Sequence, residues 1–242
     1  MSKNEICENI INISRNLNLK CFVDYKKYIK DELSTEEIIY SILDDELGIK
    51  EGNRYKARIR NAAFPVSKSI DTFKFDETRL PNLKKDTVME LAKCDFIKDK
   101  TNIIALGNCG TGKTHIAIAL GIEAIHKGYT VKFRRASDLV NQMSESHNDK
   151  TLTKYLKTIN TCDLLILDEV GYLTYDLQSA NLLFQVFAAR YEVKSIIVTT
   201  NLEFSKWIKF LGGDENMSSA LIERLVEGST ILNMNGKSYR IK

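Results

Sequence analysis

The chain has 242 residues, room for one large domain or a medium domain with a small appendage. Apolar residues make up 43% and charged residues 28%, with a net charge of +3 and a pI near 8.4, which suits a soluble globular protein and is too mild to demand a nucleic-acid partner. The polar opening MSKNEICENI argues against a signal peptide, no apolar run reaches about 18 residues, and Cys7, Cys21, Cys94, Cys109 and Cys162 are scattered without a CxxC pair, so a cytoplasmic protein with reduced thiols and no membrane partner is expected.

Residues 1–64 read as a small all-helical domain. Ser34 and Glu37 form a capping-box pattern, and Ile38, Ile39, Ile42, Leu43 and Leu47 follow at helical spacing. Gly48 and Gly52 are expected to bend or interrupt this helix, with a second helical stretch from Asn53 to Phe64. Lys50, Arg54 and Arg58 recur every fourth residue, and Lys56 and Arg60 repeat the spacing beside them. A helix here presents either a basic ridge for a phosphate backbone or a solvated charged face. Lys26, Lys27 and Lys30, interleaved with Tyr25 and Tyr28, make a second basic cluster.

Residues 65–100 change character. Pro65 and Pro81 flank SIDTFKFDETRL, which has no helical stripe and reads as a linker, followed by a short amphipathic helix over Leu83–Phe96.

Residues 101–242 alternate. The apolar runs NIIALG, TVKF, LLILDE, SIIVTT and STILNM are separated by helical stretches, the pattern of a parallel sheet covered on both faces.

The first run leads into GNCGTGKT, and Gly107, Asn108, Cys109, Gly110, Thr111, Gly112, Lys113 and Thr114 fit G-x-x-x-x-G-K-[ST]. Glycines let backbone N–H groups converge on phosphate oxygens, and the helix opening at Lys113 points its positive end at the same place. Lys113 can reach the β- and γ-phosphates of ATP, and the Thr114 hydroxyl can sit on Mg²⁺. His115 follows directly and joins the cofactor-binding set. The third run ends in Asp168 and Glu169, 55 residues after Lys113. A buried strand cannot hide these charges, so they emerge at its C-terminal end, where ligands of parallel sheets bind. Asp168 can hold the metal through water, and Glu169 can orient and deprotonate an attacking water. Asn201 ends the fourth run. It fixes that water if its strand lies between the two strands just named; otherwise it forms a turn.

SSALIERLVEG reads as a helix capped by Ser218 or Ser219. Its Arg224 either reaches a neighbouring subunit's γ-phosphate or pairs with Glu223 or Glu227. Arg240 and Arg190 are weaker candidates for the same role.

With these residues assembled, the chain resembles the IstB-like transposition helper ATPases, grouped with the DnaC-type helicase loaders in the AAA+ class. GNCGTGKTHIAIALG, RRASDLVNQM, LLILDEVGYL, ANLLFQVFAARYE, TTNLEFSKW and SALIERLVEGSTILNMNGKSYRIK carry the resemblance, and SILDDELGIKEGNRYKARIRNAAFP is similar to the family's N-terminal DNA-binding region. The resemblance implies an α/β P-loop core with a five-stranded parallel sheet flanked by helices. It implies Asn201 as first sensor, Arg224 as a finger acting in trans, and Arg240 as a candidate second sensor. It further implies ATP-driven homo-oligomer assembly on duplex DNA, bending of that DNA, and recruitment of a transposase. Only 73 residues follow Glu169, too few for the core and a full C-terminal lid. A helicase loader, with a replicative helicase as partner, and a nucleotide-gated DNA scaffold with negligible turnover are the alternatives.

Overall fold

A computed structural model describes residues 1–240. Its contacts divide the chain into two units, Met1–Ala57 and Arg58–Lys242.

The smaller unit is helical. Helix α1 (Lys3–Asn16) opens on a capping box between Ser2 and Glu5, and short α2 (Lys20–Val23) and a 3₁₀ turn (Tyr25–Tyr28) follow. Helix α3 (Thr35–Ala62) begins at the predicted box: Ser34 N–H donates to Glu37 Oε2 at 2.7 Å, and Glu37 N–H donates to Ser34 Oγ at 3.2 Å. It runs through Gly48 and Gly52 without interruption, correcting the expected break. Each glycine costs about 1 kcal/mol against alanine, too little to end a helix that keeps its hydrogen bonds on both sides. Buried Glu46 accepts the Cys21 N–H at 2.8 Å and meets Lys50 at 3.8 Å.

The larger unit holds a five-stranded parallel sheet: β1 (Ile103–Leu106), β2 (Val131–Arg135), β3 (Leu164–Val170), β4 (Ser195–Thr200) and β5 (Thr230–Asn233), in the order β2-β3-β4-β1-β5. These are the five apolar runs, and Ile103, Leu164–Leu167, Ile197 and Val198 are fully buried, as strands covered on both faces must be. Helices α4 (Lys85–Leu91) and α5 (Asp95–Lys98) precede the sheet, replacing the single predicted helix. Cys94 separates them with φ +60°, a left-handed residue that ends helical progression. Helices α6 (Lys113–His126), α7 (Ala136–Asn148), α8 (Leu152–Asn160), α9 (Leu177–Arg190), α10 (Trp207–Phe210) and α11 (Glu215–Val226) fill the crossovers. On one face of the sheet Trp207, Phe210, Leu183, Val186 and Leu225 pack into a continuous core. Helix α11 is capped by Asp214, whose Oδ1 accepts the Met217 N–H at 2.9 Å, and not by Ser218 or Ser219, which lie inside the helix.

Residues 65–100, read from sequence as a linker and entry helix, bury Ile70, Phe73, Leu80 and Leu83 in this unit. The Arg79 carbonyl accepts the Lys237 N–H at 3.0 Å, and Arg79 Nη1 donates to the Ser238 carbonyl at 2.7 Å. Among the described residues no helix follows β5, and no helix is long and apolar enough to cross a membrane. All five cysteines are free.

Candidate functional site

The sheet order brings the sequence-predicted groups to one end. β4 lies between β1 and β3, so the loop after β1, the carboxylates ending β3 and Asn201 after β4 converge where the strands finish.

The loop Gly107–Thr114 joins β1 to α6. Gly110 and Gly112 take φ of +77° and +90°, left-handed values that only glycine adopts without strain. Gly107 is needed for a different reason. A Cβ there would collide with the backbone carbonyl of Met234, just past β5. Gly107→Ala is therefore expected to destabilise the fold by about 1–3 kcal/mol, the usual range for overpacking, seen as a Tm lowered by about 2–12 °C for a chain of this size. Gly48→Ala, in open space on α3, is the control and should raise stability slightly. Equal melting of the two variants and the parent would refute the steric argument.

Lys113 Nζ folds back onto the loop, donating to the carbonyls of Gly107 and Asn108, each at 2.7 Å. Burial pulls its ammonium pKa below the ordinary lysine value, so the charge lacks adequate compensation until an anion arrives. Thr111 is fully buried and its hydroxyl donates to the Asn108 carbonyl at 2.8 Å, pinning the turn. Exposed Cys109 lines the cavity above the loop. His115 Nε2 lies 2.8 Å from the Ser69 carbonyl, and its ring meets the Phe73 edge at a centroid distance of 5.3 Å. Tyr239 N–H donates to the Gly110 carbonyl at 2.9 Å, so the residues after β5 hold the loop from the other side.

Across the loop, Asp168 is 3% exposed and its Oδ1 accepts two hydroxyls, Thr114 at 2.8 Å and Thr199 at 2.6 Å. The Thr114–Asp168 bond joins the two halves of the predicted metal site directly. Glu169 is exposed, has φ +60°, donates its N–H to Thr199 Oγ1 at 2.9 Å and pairs with Arg135 at 3.8 Å. Glu169 and Asn201 line the same cavity of about 510 Å³ as Lys113 and Arg240. That volume lies within the ordinary range for a small-molecule site.

A hydroxyl and a carboxylate at this distance suit Mg²⁺, a hard cation that takes oxygen ligands and keeps several waters beside phosphates. Among the described residues no group of three or more His, Cys, Asp or Glu is placed to hold a metal ion.

The remaining candidates fall elsewhere. Arg224 lies near Asn102 and Gly228, at the sheet end where β1 and β5 begin, and does not line its own chain's cavity. Its guanidinium donates to the Ala220 carbonyl at 3.2 Å and sits 5.4 Å from the Phe184 ring centroid. It makes no ion pair with Glu223 or Glu227 among the described residues, and Glu227 accepts the Tyr191 hydroxyl instead. Arg190 is no finger. It is 1% exposed and donates to the carbonyls of Ile159, Cys162, Asp163 and Ser195, a structural peg under β3 and β4. On α3, Arg54, Lys56 and Arg60 are exposed, Lys50 pairs with Glu46, and half-buried Arg58 lies beside Gly128.

Sequence reasoning missed Thr199, Val66, Lys68 and Tyr239, all of which line the cavity. Thr199 had a signal: SIIVTT is buried at every position, so a polar side chain inside it needs a partner. Val66 and Lys68 had none, since only tertiary packing brings them there.

Fold and site together define a P-loop nucleotide-binding domain of the AAA+ class. The chain belongs to the family of IstB-like ATP binding proteins, whose sequence model matches residues 21–242. A putative ATP-binding protein of insertion sequence IS5376 from Geobacillus stearothermophilus is 40% identical over 210 residues, covering 87% of this chain and 82% of that protein. Among solved structures, a DNA replication initiation factor is 26% identical with a TM-score of 0.56, over 68% of this chain, which spans about half of that protein's length (49%). The DnaC helicase loader is 23% identical with a TM-score of 0.54, over 70% of this chain and 96% of the loader, a likeness of fold.

Proposed function

We propose that the protein is an ATP-hydrolysing helper of insertion-sequence transposition, which assembles with copies of itself on duplex DNA in the cytoplasm and recruits a transposase. The observation that carries this reading is the 2.8 Å bond between Thr114 and Asp168 beside the glycine-rich loop, because it ties the two metal-holding groups together at the cavity that Thr114, Lys113 and Glu169 line.

Loop N–H groups and Lys113 hold the triphosphate. Thr114 and Asp168 would hold Mg²⁺, which would neutralise charge developing on the phosphates. Glu169 accepts a proton from the attacking water, and the Asn201 amide orients that water. Arg240, at the cavity mouth, contacts the phosphates from the side of the C-terminal segment. Arg224 does not line its own chain's cavity and completes a neighbouring copy's site, so ATP acts as the joint between subunits. Lys50, Arg54, Lys56, Arg58 and Arg60 on α3 grip DNA phosphates. Relatives recognised by sequence are named for insertion sequences, whereas the helicase loader is similar in fold. The transposase is therefore the partner favoured over a replicative helicase.

Sedimentation with ATP, with and without duplex DNA, tests the reading. Wild-type protein should form ATP-dependent assemblies that grow on DNA. Arg224→Ala should bind ATP normally yet sediment as the unassembled chain and lose most turnover, on the order of 10³-fold, as fingers supplied in trans do. Unimpaired assembly by the variant would remove Arg224 from the interface.

A further inference from the structure

Thr199 stands on β4 two positions before Asn201, and its hydroxyl touches both acidic residues of the site. It donates to Asp168 Oδ1 at 2.6 Å and accepts the Glu169 N–H at 2.9 Å, at 1% exposure.

The reason lies in the sheet. β3 and β4 run in step from Leu164 opposite Ser195 to Leu167 opposite Val198, and then Val170 faces Thr200. β3 thus advances three residues while β4 advances two, so one residue on β3 has no ladder partner. Glu169 has φ +60°, a conformation that non-glycine residues adopt only when their surroundings compel it. Its N–H leaves the ladder and finds another acceptor, since a backbone amide shielded from water is unfavourable when unpaired. The Thr199 hydroxyl is that acceptor, and its own proton goes to Asp168.

The Asp168 side of this contact matters when a metal is bound. Oδ1 now has two donors, Thr114 and Thr199. The proposed function gives the Thr114 hydroxyl to the metal, which leaves Thr199 as the one remaining donor to Oδ1 among the described residues. Among the described residues both hydroxyl contacts of Asp168 fall on Oδ1 and none on Oδ2.

We propose that Thr199 is a positioning residue: one buried hydroxyl fixes both the rotamer of the metal-holding Asp168 and the out-turned backbone that presents Glu169 to the cavity. It acts through its two neighbours, Asp168 and Glu169. The role rests on the ATP-hydrolysis reading for Glu169, while its Asp168 half stands on metal binding alone.

Thr199→Val keeps the shape and removes the hydroxyl, Thr199→Ala removes it with less bulk, and Thr199→Ser restores it. Each variant is compared with the parent by circular dichroism, by titration with a fluorescent ATP analogue in EDTA, by Mn²⁺ binding to the protein–ADP complex using electron paramagnetic resonance, and by turnover. The two hydroxyl-free variants are expected to bind nucleotide normally without metal. They should bind Mn²⁺ about 10–100-fold more weakly and lose kcat by a similar factor, as outer-shell partners of metal ligands do. Thr199→Ser should recover both.

Parental Mn²⁺ affinity in a folded hydroxyl-free variant overturns the proposal. So does a loss shared equally by metal-free nucleotide binding, which marks general distortion, or a folded Thr199→Ser protein that recovers nothing. Should the parent itself show no turnover above Glu169→Gln, the hydrolysis reading fails, and the Mn²⁺ measurement still decides the role of Thr199.

Discussion

Alanine in place of Lys113 is expected to weaken ATP binding by about 30–700-fold, the equivalent of about 2–4 kcal/mol for truncating one partner of a partly buried charged contact. The ammonium is held where burial lowers its pKa, and its hydrogen bonds go only to the Gly107 and Asn108 carbonyls. Those carbonyls are weak compensation for a cation, and a triphosphate is strong compensation, so the free energy released on binding depends on this side chain. The same reasoning predicts that folding stability changes little. Removing the charge relieves a desolvation penalty, and the loop remains pinned by Thr111 and by the Tyr239 N–H to the Gly110 carbonyl. Lys113→Arg should not restore binding, because a planar guanidinium cannot occupy the space of a compact ammonium between two carbonyls. Titration with a fluorescent ATP analogue measures affinity, and a thermal melt separates it from unfolding. Parental affinity in a folded Lys113→Ala protein would show that the loop does not cradle the phosphates, and the remaining site assignments would fall with it.

Much of this site was legible because its residues combine local rules that agree. LLILDE is four apolar residues and two charges, and only a buried strand that ends at a polar rim satisfies both. GNCGTGKT sits between such a strand and a helix start, so glycine geometry, dipole and lysine all point to one ligand. The position of β4 between β1 and β3 was conditional in the sequence, since pairing order is set by tertiary contacts; the structure meets the condition, and Asn201 lines the cavity.

The rest was hidden where local signals compete or are weak. Asp214 and Ser218 are both good helix caps. Asp214 prevails: its carboxylate accepts the Met217 N–H, and the extra turn carries Ser218 into the buried face with Leu221 and Leu225. Gly48 and Gly52 carry a small local penalty that a long helix absorbs. SIDTFKFDETRL has no periodicity, yet Phe73 packs against His115 and Tyr239 beside the phosphate loop. An irregular segment that buries its aromatics gives no repeating pattern to detect. Arg224 was legible as a helical arginine, but its place outside its own chain's cavity required coordinates.

Glutamine in place of Glu169 is the second large expected effect, a fall in kcat of about 10²–10⁴-fold with nucleotide affinity preserved, the range for loss of a general base. The exchange is nearly isosteric. The Glu169 backbone N–H still reaches Thr199, so the out-turned conformation and the Asp168 contact survive. The pair with Arg135 is lost, but both side chains are about half exposed (55% and 51%) at 3.8 Å, and such contacts contribute little. What disappears is the carboxylate proposed to accept a proton from water. Binding and turnover should therefore separate. The variant should hold ATP, form assemblies on DNA and fail to release them, which sedimentation over time will record as complexes that persist after the parent's have dispersed. Parental turnover in this variant would remove Glu169 from the chemistry. If the parent, saturated with DNA, turns over no faster than the variant, ATP is a structural joint between subunits and hydrolysis is not the release step.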